Sequence, residues 1–174
     1  MANRSRLAQA PSGYTLIELL LYISIVGVLL TTATIFFGTV ADARIKNQTI
    51  SEVNQQGVAV LELIAQTVRN ANTITAPSAG TTANSLTVTV PNASLSPTII
   101  NLNGTTLQIK EGAASAVPLT NSKVQVSTLQ FKNLSRSGTP GVVQISFVVS
   151  RLNPANRNEY AYQKTFTATA ALRK

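Results

Sequence analysis

The feature that most constrains this chain is an apolar run that begins at Tyr14 and carries a single charge, Glu18, before Ala41. Its centre, TLIELLLYISIVGVLLTTATIFF, exceeds the roughly 20 apolar residues needed to cross a bilayer as a helix. Ahead of it, residues 1–13 (MANRSRLAQAPSG) are polar and carry Arg4 and Arg6 with no acidic residue, which by the positive-inside rule makes them a cytoplasmic leader. Three readings compete for the run: an ordinary anchor, a removable secretory signal, and a helix that is first an anchor and later the core of an assembly. A secretory signal has an apolar region of roughly 7–15 residues before a small-x-small site. Thr39-Val-Ala41 offers such a site weakly, and the run before it is too long.

The helical pattern continues past the apolar run. Val53, Gly57, Val60, Leu61, Ile64 and Val68 recur at spacings of three and four, with Glu52, Asn54, Glu62 and Gln66 elsewhere on the circumference. No proline stands between Pro11 and Pro77, so one helix from about Tyr14 to about Asn72 is expected, on the order of 85–90 Å long at 1.5 Å per residue. Near Thr73 the composition turns to Thr, Ser, Asn, Gly and Val. Ala76–Thr82 reads as a loop, and alternation at period two follows in residues 86–90, 100–109, 123–131, 142–150 and 160–172. Asn103-Gly104 predicts a type I′ hairpin turn. Val143, Ile145, Phe147 and Val149 predict one buried strand face. The expected fold is α+β, a long N-terminal helix whose amphipathic half packs on a C-terminal antiparallel β-sheet. Its divisions are a leader (1–13), a membrane or core helix (14–41), an amphipathic helix (42–75) and a sheet domain (76–174).

Composition narrows the chemistry. The 174 residues include no cysteine, histidine or tryptophan, so disulfides, thiolate metal sites and imidazole catalysis are excluded, and no cofactor or metal is expected. The carboxylates beyond Glu18 are Asp42, Glu52, Glu62, Glu111 and Glu159, and neither an activated nucleophile nor a phosphate loop accompanies them, so no catalytic residue is assigned and an enzyme is not expected. The net charge of +8 points to anionic partners only if the basic residues cluster. They are dispersed along the sequence. Lys123, Lys132, Arg136, Arg151 and Arg157 are the candidate DNA contacts, and a connected patch of them would favour DNA binding over a purely structural role.

The constellation Ser12-Gly13-Tyr14-Thr15-Leu16-Ile17-Glu18, followed by the apolar helix, resembles the class III signal of type IV pilins and pseudopilins. The resemblance covers residues 5–40 by motif and the remainder by architecture. It implies that a prepilin peptidase of the aspartyl type cuts between Gly13 and Tyr14 and methylates the new amine of Tyr14. It also implies that Glu18 meets the N-terminal amine of a neighbouring subunit as the helix leaves lipid for the filament. A carboxylate in a membrane segment costs about 2.5–3.5 kcal/mol on insertion scales, which is the independent reason to look for a function at Glu18. The implied partners are other pilin or pseudopilin subunits, the peptidase, an inner-membrane assembly platform and lipid before assembly. The implied location is the cytoplasmic membrane, single pass with the N-terminus inside, then a surface filament or periplasmic pseudopilus.

Tyr14 stands where the family most often has Phe, and Ile35 where major pilins usually have a proline. LELIAQTVRNANTI and FTATAALRK look more like minor pilins or pseudopilins of the J or W type. The other reading is a binding module, an adhesin or DNA-uptake receptor, displayed on the same helix.

Overall fold

The computed structural model describes residues 13–173, so Arg4, Arg6 and the rest of the expected leader through Ser12 lie outside the described residues, as does Lys174. The chain divides between Asp42 and Ala43 into two compact units. Helix α1, Leu16–Arg69, supplies the described part of the first almost entirely and opens the second. It begins two residues after the expected start and stops three before the expected end. The stop has a local cause: Asn70, Asn72 and Thr73 are poor helix formers, and the Asn72 amide donates to the Thr89 carbonyl at 2.7 Å instead of continuing the helical ladder. Residues 73–75, expected as the tail of the amphipathic helix, belong to strand β1 (Thr73–Ala76), whose Thr-Ile-Thr alternation suits an edge strand.

The strands that follow are β2 (Thr82–Ala83), β3 (Leu86–Thr89), β4 (Thr98–Asn103), β5 (Thr106–Glu111), β6 (Val117–Pro118), β7 (Val124–Asn133), β8 (Val142–Arg151) and β9 (Gln163–Ala171). They form two antiparallel sheets rather than one, in the orders β1-β3-β4-β5-β6 and β2-β7-β8-β9. The α+β architecture is therefore as expected, with α1 covering both sheets.

The core joins the helix to both sheets. Val53, Gly57, Val60, Ile64 and Val68 are buried as the stripe predicts, whereas Leu61 sits only half-buried at its margin. They meet Leu86, Val88, Ile100 and Leu107 from the first sheet and Val126, Phe131, Val143, Ile145, Phe147, Val149 and Phe166 from the second. Each fully buried Val or Ile side chain contributes about 1.5–3 kcal/mol, so the stripe fixes which face of the helix turns inward.

Two local details differ from the sequence reading. Asn103 pairs with Thr106, so the β4–β5 turn is Gly104-Thr105 and not Asn103-Gly104. Gly104 takes φ +60 while Thr105 keeps a negative φ, which is the pattern of a type II′ turn, where only the first central residue needs the left-handed region. In β7 the inward set changes parity from Val124 and Val126 to Leu129 and Phe131. The cause is a bulge between Ser127 and Gln130 in which Thr128 adopts φ +50, a conformation rare for a β-branched residue.

Candidate functional site

The head of α1 is built from four residues. Gly13 and Tyr14 precede the helix in an exposed, non-helical segment, and among the described residues no atom lies within 4 Å of where a Gly13 side chain would begin. The peptide bond between them is therefore sterically open. Thr15 caps the helix: its Oγ1 accepts from the Glu18 amide at 3.3 Å, the N-cap to N3 bond that satisfies one of the orphan donors of a helix N-terminus.

Thr15-x-x-Glu18 has the spacing of a capping box, in which the glutamate would reach back to the N-cap amide. Here its side chain runs forward instead. The Tyr22 hydroxyl donates to Glu18 Oε1 at 3.1 Å, and the Tyr22 ring meets the Tyr14 ring edge-on, with centroids 6.3 Å apart and planes at 79°. Neither the cap nor Tyr22 was singled out from sequence, although T-x-x-E and the i, i+4 spacing of Glu18 and Tyr22 are visible there.

This cluster sits on the stretch of α1 whose large apolar side chains, Leu16 to Phe37, are uncovered. Fifteen large apolar side chains from Leu16 to Phe37 are each about half or more exposed. At about 2 kcal/mol apiece, leaving them in water would cost on the order of 30 kcal/mol, a sum comparable with or larger than the whole stability of a domain. The segment is a candidate single membrane span. Its hydroxyls suit an apolar surrounding: Ser24, Thr31, Thr32 and Thr34 donate to their own i−4 carbonyls at 2.8–2.9 Å. Glu18 is the one charged group in the run, and among the described residues a single side chain, Tyr22, donates to it.

The basic residues singled out as DNA contacts separate into two groups. Lys123 immediately precedes β7 and Arg151 ends β8, and both converge on Glu52 of α1, Arg151 in direct contact and Lys123 at 3.9 Å. Asn121 adds a hydrogen bond to the same carboxylate at 3.3 Å. The Tyr160 ring carries the Arg151 and Arg157 guanidinium groups at 5.6 and 5.5 Å, and Arg157 pairs with Glu159. A hydrogen bond from its own backbone, assisted by Arg157 and Lys46, holds the Glu159 carboxyl below the usual carboxylate range. Lys132 lies at the other end of β7, nine residues or about 30 Å from Lys123, and Arg136 is in the loop beyond it. Lys123, Arg151 and Arg157 thus gather at one end of the second sheet, two of them committed to Glu52, while Lys132 and Arg136 stand apart.

Glu52 escaped notice in the sequence because a glutamate on an amphipathic helix reads as a solvated position. The recess beside it, about 390 Å³ and lined by Gln48, Thr49, Gln55, Asn121 and Tyr160 among others, is a polar packing site held by ion pairs. Among the described residues no group of three His, Cys, Asp or Glu side chains could hold a metal ion. No family model, no curated protein and no solved structure matches this chain.

Proposed function

We propose that the chain is a structural subunit, minor or at the tip, of a type IV pilus or a secretion-type pseudopilus. In this reading a prepilin peptidase cuts the open bond between Gly13 and Tyr14, the new Tyr14 amine is methylated, and the subunit enters a filament through the apolar half of α1. The protein performs no catalysis itself. Its partners are further pilin-like subunits, the peptidase, a membrane assembly platform, and lipid until assembly.

The observation that carries the reading is a lone carboxylate, Glu18, one turn past an exposed Gly-Tyr bond, on a helical stretch whose large apolar side chains from Leu16 to Phe37 are uncovered. Such a helix needs lipid or other helices around it, and such a carboxylate needs a cationic partner in either setting. The freed N-terminal amine of a neighbouring subunit has the charge to supply it. A display role for DNA uptake has weaker support, because the five basic candidates form no connected patch.

The test is the mass and N-terminal sequence of the protein extracted from membranes of cells with a pilus system. A chain beginning at methylated Tyr14 and recovered in sheared filaments is expected. Cleavage near Ala41, or an intact leader with all protein retained in the membrane, would refute the assignment.

A further inference from the structure

Glu18 and Tyr22 are one helical turn apart, so their side chains lie on one face of α1 and the phenol is long enough to reach back over that turn. Every other hydroxyl described between Ser24 and Thr34 is spent on its own backbone. Tyr22 alone is turned onto a side chain. It occupies Oε1 of Glu18 and leaves Oε2 with no donor among the described residues. Tyr14 packs edge-on against the Tyr22 ring.

A carboxylate can accept on both oxygens, so a donor on Oε1 does not compete with a second one on Oε2. In hydrocarbon no water replaces a missing donor, and a glutamate without Tyr22 would turn back toward the Thr15 amide or fold toward the interface. Either movement takes the carboxylate away from the outer surface of the helix. Holding it in place beforehand removes part of the ordering cost of meeting a partner.

We propose that Tyr22 is a positioning residue for assembly: its hydroxyl fixes the Glu18 carboxylate through Oε1, so that Oε2 is presented to the N-terminal amine of an adjoining subunit. The proposal rests on the assembly role of Glu18 given above, and names the residue of this chain that makes the role effective. Tyr22 touches neither the scissile bond nor the arriving amine, and acts through Glu18.

Two measurements on the full chain test it. In the first, Glu18→Ala, Tyr22→Phe and the wild type are expressed in cells lacking the native copy, and membrane and sheared-filament fractions are compared. Cleavage at Gly13 should be unchanged in both variants. Glu18→Ala should abolish filament entry, and Tyr22→Phe should lower the filament-to-membrane ratio about ten-fold, equivalent to about 1.4 kcal/mol. In the second, the protein is labelled at the tyrosine ring carbon bearing the hydroxyl and placed in phosphatidylcholine vesicles for solid-state NMR. The Tyr22 resonance, identified by its loss in Tyr22→Phe, should shift when Glu18 becomes Ala.

A Tyr22 resonance indifferent to Glu18→Ala overturns the proposal, as does a Tyr22→Phe variant that assembles like the wild type while Glu18→Ala does not; in both cases the assembly reading stands. Normal assembly of Glu18→Ala overturns that reading, and the positioning role falls with it.

Discussion

Replacing Gly57 with alanine should destabilise the protein even though alanine is the better helix former. In α1 the exchange would by itself gain about 1 kcal/mol. The structure reverses the sign. A methyl group at residue 57 would lie 2.1, 2.2 and 2.6 Å from three ring carbons of Phe166, well inside contact distance. The ring has little freedom to retreat: it stacks on Phe147 with centroids 5.7 Å apart, and the Lys164 ammonium covers it at 5.4 Å. Two responses remain. Either the helix lifts from the second sheet, opening gaps around Val53, Val60 and Ile64, or Phe166 swings out and forfeits burial of about 2–3 kcal/mol together with about 1 kcal/mol of ring pairing. Subtracting the gain in propensity leaves a loss of about 2–3 kcal/mol.

The assay is thermal unfolding of detergent-solubilised protein followed by the β-sheet circular dichroism signal. At about 2–4 °C per kcal/mol for a chain of this size, the midpoint should fall by about 5–10 °C. Ser51→Ala, on the exposed face of the same helix, should leave it unchanged or raise it slightly. The double variant Gly57→Ala/Phe166→Leu should recover part of the loss, because the two sites share one contact. If Gly57→Ala melts at or above the wild-type temperature, the close approach of helix and sheet described here is wrong.

Glu52→Gln should cost about 1–2 kcal/mol, because Arg151, whose side chain is 18% exposed, loses its carboxylate, whereas Lys123→Ala should cost under about 0.5 kcal/mol since that side chain is 64% exposed; urea midpoints at equal m-value distinguish the two. The Glu159 carboxyl is held below its ordinary range in the folded chain, so its contribution is complete above the unfolded value and is lost as pH falls through the folded one. Acid titration of stability should accordingly flatten slightly below the ordinary carboxylate pKa in Glu159→Gln, and an unchanged profile would show that Glu159 makes no such contribution. DNA binding should be weak and lost steeply with salt, since the basic groups at the two ends of β7 do not join; gel-shift complexes that survive about 0.5 M salt would contradict this.

The readings that came through from the sequence are those in which a single physical demand dominates. The stripe from Val53 to Val68 is legible because burial requires every third or fourth residue of a helix to be apolar, and the alternation from Val143 to Val149 because a strand covered on one face requires every second. What was missed depended on two demands acting together. Leu61 fits the period but falls at the edge of the covered arc, where it is only partly buried. The β7 bulge is written in the change from Val124 and Val126 to Leu129 and Phe131, yet either parity alone predicts an unbroken strand; only the pairing with β8 makes Thr128 the extra residue. The division into two sheets is set by which strands pair, a choice between partners remote in sequence that no local period encodes. At the head of the helix the same rule separates motif from mechanism. Gly13, Tyr14 and Glu18 are legible because their spacing to the apolar run is local. The direction of the Glu18 side chain is not, since T-x-x-E favours a turn backward to the Thr15 amide and Tyr22 a turn forward. The forward bond is the one that forms, with the Tyr14 ring edge-on against the Tyr22 ring beside it. A chain with phenylalanine in place of Tyr22 would keep the whole Gly13-to-Glu18 motif and lose this arrangement, so the motif and the direction of its carboxylate are separable properties of the ten residues from Gly13 to Tyr22.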